Sequence, residues 1–233
     1  MKYSLFICAL LLLASIESCT EKRTIDKGET FFELTERAEN GDSVAQYLLA
    51  SCYKNGTGVE PNKEKMVEWY RKSAIKGYDS ACYQLGNCYM KGDGISKNDY
   101  LAVFWYKKAS EKGIDKAQNN LANCYKKGIG TNVNIDSALY LYQEAANHGL
   151  ISAQSNLANT YMTGTYTEQN FKKALFWYKK ASEKGDADAQ FYVGYLLLNG
   201  LGTQKDTLLA KKFLNMAAKQ KHSKAIEQIK FLN

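Results

Sequence analysis

Glycine stands at positions 56, 92, 128, 164 and 200, every step 36 residues. The same step links Gly41, Gly77, Gly113, Gly149 and Gly185, and it links Ala45, Ala81, Ala117, Ala153, Ala189 and Ala225. It also carries Tyr53 to Tyr89, Tyr125 and Tyr161, and Trp69 to Trp105, with no insertion from about residue 31 onward. A strict period of this length means stacked supersecondary units, each in contact with its neighbours, and not one central core. The 233 residues therefore need not be divided into ordinary globular domains. A single proline suits a mostly helical chain, because proline breaks helix interiors.

Within one unit, Ala81, Leu85 and Tyr89 are four apart and line one helix face. Gly92-Asp93-Gly94 stops that helix. Asn98-Asp99 then offers an N-cap, and Ala102, Trp105, Tyr106 and Ala109 form a second apolar stripe before Gly113. The unit is thus predicted to be a hairpin of two antiparallel helices of about 13 to 15 residues. The recurring alanines let helices approach closely. Trp69, Trp105 and Trp177, with Tyr70, Tyr106, Tyr142 and Tyr178, are expected to fill the space between hairpins. Five full repeats starting near residues 45, 81, 117, 153 and 189 are expected. A half-repeat helix flanks them at each end, at about 30–40 and 223–233. The fold class is all-α, a right-handed α-solenoid.

The pattern Ala81…Leu85-Gly86…Tyr89…Gly92-Asp93-Gly94…Ala102…Trp105-Tyr106…Ala109…Gly113 resembles the Sel1-like repeat, a relative of the tetratricopeptide repeat. The third copy, Ala117…Leu121-Ala122…Tyr125…Gly128-Ile129-Gly130…Ala138, matches it similarly. The resemblance spans about residues 31–233 and implies a scaffold or adaptor. Departures are Gly164-Thr165-Tyr166 without the second glycine, Met66 at an alanine position, and Phe213-Leu214 in place of Trp-Tyr.

Six cysteines raise the question of disulfides. Cys52, Cys88 and Cys124 occupy one repeat position, so they stand a helix spacing of roughly 8–10 Å apart. A bridge needs Cα atoms within about 7 Å. They are expected to be small buried hydrophobes. In cysteine-rich members of the resembled family, cysteines seven residues apart bridge repeat junctions. The partner position for Cys82 here is Ile75, so no structural disulfide is expected.

No zinc-ligand spacing and no phosphate loop occur, and neither cofactor nor metal is expected. His148, beside Gly149, is expected to complement a helix C-terminus. Ser51…Lys54 and Ser73…Lys76 fit a Ser-x-x-Lys nucleophile pattern without its companions. They motivate the alternative of a cell-envelope hydrolase of penicillin-recognising type. Lysine pairs at 107–108, 126–127, 172–173, 179–180 and 211–212 are expected to be solvated surface, and a nucleic-acid partner is not expected.

With positions 45, 49 and 53 facing the core, positions 48, 51 and 55 and their equivalents are expected to be freer. In the middle copies these hold Asn87, Asn120, Asn123, Asn156 and Asn159, continued by Tyr192 and Tyr195. Amides offer a donor and an acceptor to a peptide backbone, and tyrosines supply flat anchors. This row, on the expected concave face, is the candidate site for a protein or peptide. The competing reading is that the asparagines bond one another.

Residues 1–18 have Lys2 and an uncharged apolar run from Phe6 to Ala14, as in a signal peptide. Ile16-Glu17-Ser18-Cys19 resembles a bacterial lipobox, which implies lipidation at Cys19 and an exported lipoprotein on the outer membrane or periplasmic face. Residues 19–29 are expected to tether the lipid to the solenoid.

Overall fold

The computed structural model describes residues 24–25 and 29–232. Cys8 and Cys19 lie outside the described residues. The chain divides into two units, the first ending at Lys112 and the second beginning at Gly113.

The first unit opens with a two-residue antiparallel pairing. Strands β1 (Thr24–Ile25) and β2 (Glu29–Thr30) meet with Thr24 opposite Thr30. This falls within and beside the stretch expected to be an aperiodic tether. Five helices follow: α1 (Phe31–Glu39), α2 (Ser43–Asn55), α3 (Lys63–Ile75), α4 (Asp79–Lys91) and α5 (Asp99–Glu111). The second unit holds α6 (Asp115–Lys127), α7 (Ile135–Asn147), α8 (Ile151–Thr163), α9 (Phe171–Glu183), α10 (Ala187–Asn199), α11 (Thr207–Lys219) and α12 (Ser223–Lys230). Within each unit consecutive helices pack on one another, as stacked hairpins require.

Local chemistry sets these lengths. Each second helix starts at a residue of one 36-step column, Asn62, Asn98, Asn134, Asn170 and Asp206. Each of these side chains accepts a backbone N–H three residues on, replacing a partner the first turn lacks. The same residue's own N–H donates to a carbonyl nine residues back, as Asn98 does to Tyr89 at 2.9 Å. The cap therefore also closes the hairpin. Each first helix of a full hairpin ends at a left-handed glycine.

The second glycine of the loop does more than stop a helix. A Cβ on Gly94 would lie 2.3 Å from the Lys63 carbonyl oxygen, and one on Gly202 2.4 Å from the Phe171 backbone. The loop is pressed against the start of the preceding second helix, where only hydrogen fits. Tyr166, which replaces this glycine in the fourth copy, is exposed.

The alanines at 45, 81, 117, 153, 189 and 225 are wholly buried, as are Leu49, Leu85 and Leu157. Tyr70, Tyr106, Tyr142 and Tyr178 are at most 2% exposed and are the largest fully buried side chains. Met66, at an alanine position, is also buried core. Cys52, Cys82, Cys88 and Cys124 are buried thiols.

Candidate partner-binding surface

The buried tyrosines organise the first-helix face. Each sits on a second helix, and in Tyr70, Tyr106 and Tyr142 the hydroxyl meets the residue 19 positions earlier, on the first helix of its own hairpin. Tyr106 donates to Asn87 Oδ1 at 2.8 Å, and Tyr142 donates to Asn123 Oδ1 at 2.6 Å. Tyr70 and Ser51 approach to 3.3 Å. Position 51 and its equivalents Asn87 and Asn123 are therefore half-buried and tethered, not the freer surface expected from spacing.

In the second unit the asparagines are joined by a residue outside the expected row, Asn119. Asn119 is 7% exposed. Its carbonyl oxygen accepts from Asn123 Nδ2 at 3.1 Å, its Oδ1 accepts from Asn156 Nδ2 at 2.9 Å, and its Nδ2 reaches Asn120 Oδ1 at 3.4 Å. The signal was a departure from the repeat. The equivalent residues are Tyr47 and Tyr83, whose rings pack on Tyr70 and Tyr106 at 5.6 and 6.2 Å. Replacing a ring by an amide opens room for the network. Asn120, Asn123 and Asn156 thus bond one another or a shared neighbour, while Asn87, in the first unit, accepts from Tyr106.

The fourth copy breaks the pattern. The Tyr178 hydroxyl is buried and has no hydrogen-bond partner, while Asn159, 19 residues earlier, is exposed. Tyr178 stacks instead on Tyr192, with centroids 4.9 Å apart and planes 16° apart. Burial holds the Tyr178 hydroxyl well above its ordinary pKa. Tyr192 and Tyr195 are both half-buried, one repeat further along the same face.

A second recurring column ties hairpin to hairpin. Gln46, Gln154 and Gln190 are buried, and each Nε2 donates to a carbonyl eight residues earlier, at 3.0, 3.1 and 3.5 Å. At Cys82 the thiol takes that place, 3.7 Å from the Ala74 oxygen. The histidines are junction residues too. His148 caps the C-terminus of α7 and its Nδ1 lies 2.6 Å from Asp115, whose carboxylate raises the imidazole pKa. His222 accepts the Ala225 N–H at Nδ1 and stacks on Phe191.

The Ser-x-x-Lys patterns do not assemble. Ser73 is wholly buried, its hydroxyl donating to the Ser43 carbonyl at 2.6 Å, while Lys76 bonds Gly41. Ser51 contacts the Tyr47 carbonyl and Tyr70. Most of the paired lysines are exposed. Several lie against aromatic rings, as Lys173 does over Tyr161 at 5.1 Å. No helix among the described residues is long and apolar enough to cross a membrane.

The Sel1 repeat model matches residues 43–78, 79–114, 115–150, 151–186 and 187–222. The chain belongs to the Sel1 repeat family. Each matched Sel1 copy begins at the first residue of a first helix and ends just before the next. A Sel1 repeat protein from Oxalobacter formigenes is 33% identical with a TM-score of 0.77, the match covering 84% of this chain and 78% of that one. A protective antigen of uropathogenic Escherichia coli, with an SLR fold, is 31% identical with a TM-score of 0.79. This chain spans only 42% of that antigen's length, and the match covers 84% of the present chain. No curated protein matches the chain. Sel1 repeat proteins are generally protein–protein interaction scaffolds, and the fold is typically non-catalytic.

Proposed function

We propose that this protein is a non-enzymatic scaffold, anchored in a bacterial envelope through a lipid on Cys19, that binds a protein or peptide along its first-helix face. The observation that supports it is the state of Asn159. Its repeat equivalents Asn87 and Asn123 hold a buried tyrosine hydroxyl, whereas Asn159 is exposed, one repeat before Tyr195 at the same repeat position. In this reading the contacts lie at Asn159, Tyr192 and Tyr195. The bonded asparagines Asn120, Asn123 and Asn156 hold that face of the second unit in shape, and Asn87 is held by Tyr106 within the first. An exposed amide presents both a donor and an acceptor to a partner's backbone.

Cross-linking in intact cells, followed by pull-down and mass spectrometry, tests the reading. Asn159→Ala combined with Tyr195→Ala should lose the captured partner while the circular dichroism stays native. Unchanged capture by that variant sinks the assigned surface. Radiolabelled palmitate should enter the wild-type chain but not Cys19→Ser; label in both sinks the anchor. The hydrolase alternative is less favoured because both candidate serine hydroxyls are bonded to other groups, Ser73 deep in the core.

A further inference from the structure

At the junction of α3, α4 and α5 the first unit contains a cavity of about 450 Å³. It is walled by Ala74, Ile75, Cys82, Phe104 and Trp105, with Lys108 and Lys112 at its rim. One repeat earlier the corresponding cavity is walled by Ala38, Glu39, Gln46, Glu68 and Trp69. Three polar or charged residues have thus become apolar in the second copy: Glu39 is replaced by Ile75, Gln46 by Cys82 and Glu68 by Phe104. Packing accounts for little of the change: Ile75 is 70% exposed, and Phe104, though its ring meets Trp105 edge-on at 5.1 Å, is still 44% exposed. Trp105 is also more open than Trp69, whose ring carries Lys72 Nζ 3.9 Å from its centroid.

The rim lysines differ from Lys72, Lys76 and Lys184, which meet oxygen partners; Lys108 Nζ instead lies 5.9 Å from the Phe104 ring centroid. Lys72 pairs with Glu68 at 2.7 Å, but Lys108 has Phe104 where that glutamate would be. Lys76 and Lys184 donate to the carbonyls of Gly41 and Gly149 at 2.5 and 2.6 Å. Lys112 does not fold onto Gly77 in this way, and nothing lies within 4 Å of where a Gly77 Cβ would be. Two ammonium groups therefore face one lining carboxylate, Asp79. Burial, with Asp79 beside it, pushes the Cys82 thiol up, so that wall is uncharged.

We propose that this groove docks an acidic, amphipathic segment of a partner protein. An apolar side chain of the segment seats among Ile75, Phe104 and Trp105, and its carboxylates meet Lys108 and Lys112. Concave apolar walls with a few charges at the edge are the usual anatomy of a docking pocket. The positive rim selects the sign of the segment. This surface lies at the helix junction and is independent of the first-helix face assigned above.

The test uses fluorescence anisotropy with three labelled, end-blocked peptides, DELLDE, KKLLKK and DESSDE, on the folded chain. Only DELLDE should bind saturably, and raising the salt to 1 M should weaken it as screening shortens. The double variant Ile75→Glu/Phe104→Glu restores the first copy's residues, so it should fold and bind DELLDE at least about tenfold more weakly. Lys112→Gln should weaken binding about threefold to tenfold. Native circular dichroism confirms that each variant folds. Absence of saturable DELLDE binding overturns the proposal, as does equal binding of KKLLKK or undiminished binding by a natively folded double variant. A wild-type dimer in sedimentation that the double variant abolishes also overturns it, because a second copy would then be the occupant.

Discussion

Tyr142 and Tyr178 occupy the same repeat position, are 0% and 2% exposed, and differ at the hydroxyl. Tyr142 donates to Asn123 at 2.6 Å, whereas the Tyr178 hydroxyl is buried without a partner. Removing each hydroxyl separates the hydrogen bond from ring burial, which phenylalanine preserves. Tyr142→Phe loses a net contribution of about 0.5–1.5 kcal/mol. The cost stays at the lower end if water reaches Asn123, which is half-buried. Tyr178→Phe removes a hydroxyl whose uncompensated burial costs about 1–3 kcal/mol, so the change is expected to be neutral or stabilising by about 1 kcal/mol. Tyr142→Phe should therefore be less stable than Tyr178→Phe by about 0.5–2.5 kcal/mol. Urea unfolding by circular dichroism measures this, with equal slopes required before midpoints are compared. Asn123→Ala in both tyrosine backgrounds completes a double-mutant cycle, and its coupling should appear only with Tyr142 present. If Tyr178→Phe destabilises as much as Tyr142→Phe, the hydroxyls are equivalent and the special role given to Asn159 fails.

Gly94→Ala should cost about 2–5 kcal/mol, because left-handed strain adds to a Cβ 2.3 Å from the Lys63 carbonyl oxygen. Gly77→Ala, left-handed but with open space, should cost only about 1–2 kcal/mol in the same thermal-melt series. Asn98→Ala should lower stability by about 1 kcal/mol through loss of the α5 cap, and Asn98→Asp should retain most of it. Burial pushes Tyr70 up to about 12 and raises Tyr142 and Tyr178 as well. The stability this represents is intact below pH 10, the ordinary tyrosine value, and is lost as pH rises toward the folded-state values. Absorbance at 295 nm should show these residues ionising together with alkaline unfolding; early, non-cooperative ionisation of all tyrosines would contradict their burial. His148 is raised by its hydrogen bond to Asp115, so their pairing is complete below the ordinary histidine pKa and fades as pH passes the raised value. Asp115→Asn should return the His148 NMR titration toward 6.5.

The period, the hairpin, the glycine stops and the buried alanines were legible in the residue order. They depend on contacts within a turn or across one loop, and identical spacing reproduces identical contacts in every copy. The Asn62, Asn98, Asn134 and Asn170 caps carry the same signal, one asparagine every 36 residues. What the asparagines at 87, 120, 123, 156 and 159 do was not legible, because it depends on side chains brought close from other helices. Whether Asn123 is held depends on Tyr142, and whether Asn156 is held depends on Asn119, 37 residues away. The same limit applies to Ile75. In sequence it is only a missing cysteine partner. Its exposure, and its place opposite Phe104 and Trp105, exist only once α3, α4 and α5 have packed. Spacing alone determined which positions repeat. Tertiary packing decided which repeated positions remain open, because openness depends on the shape and polarity of neighbours that the period itself does not specify.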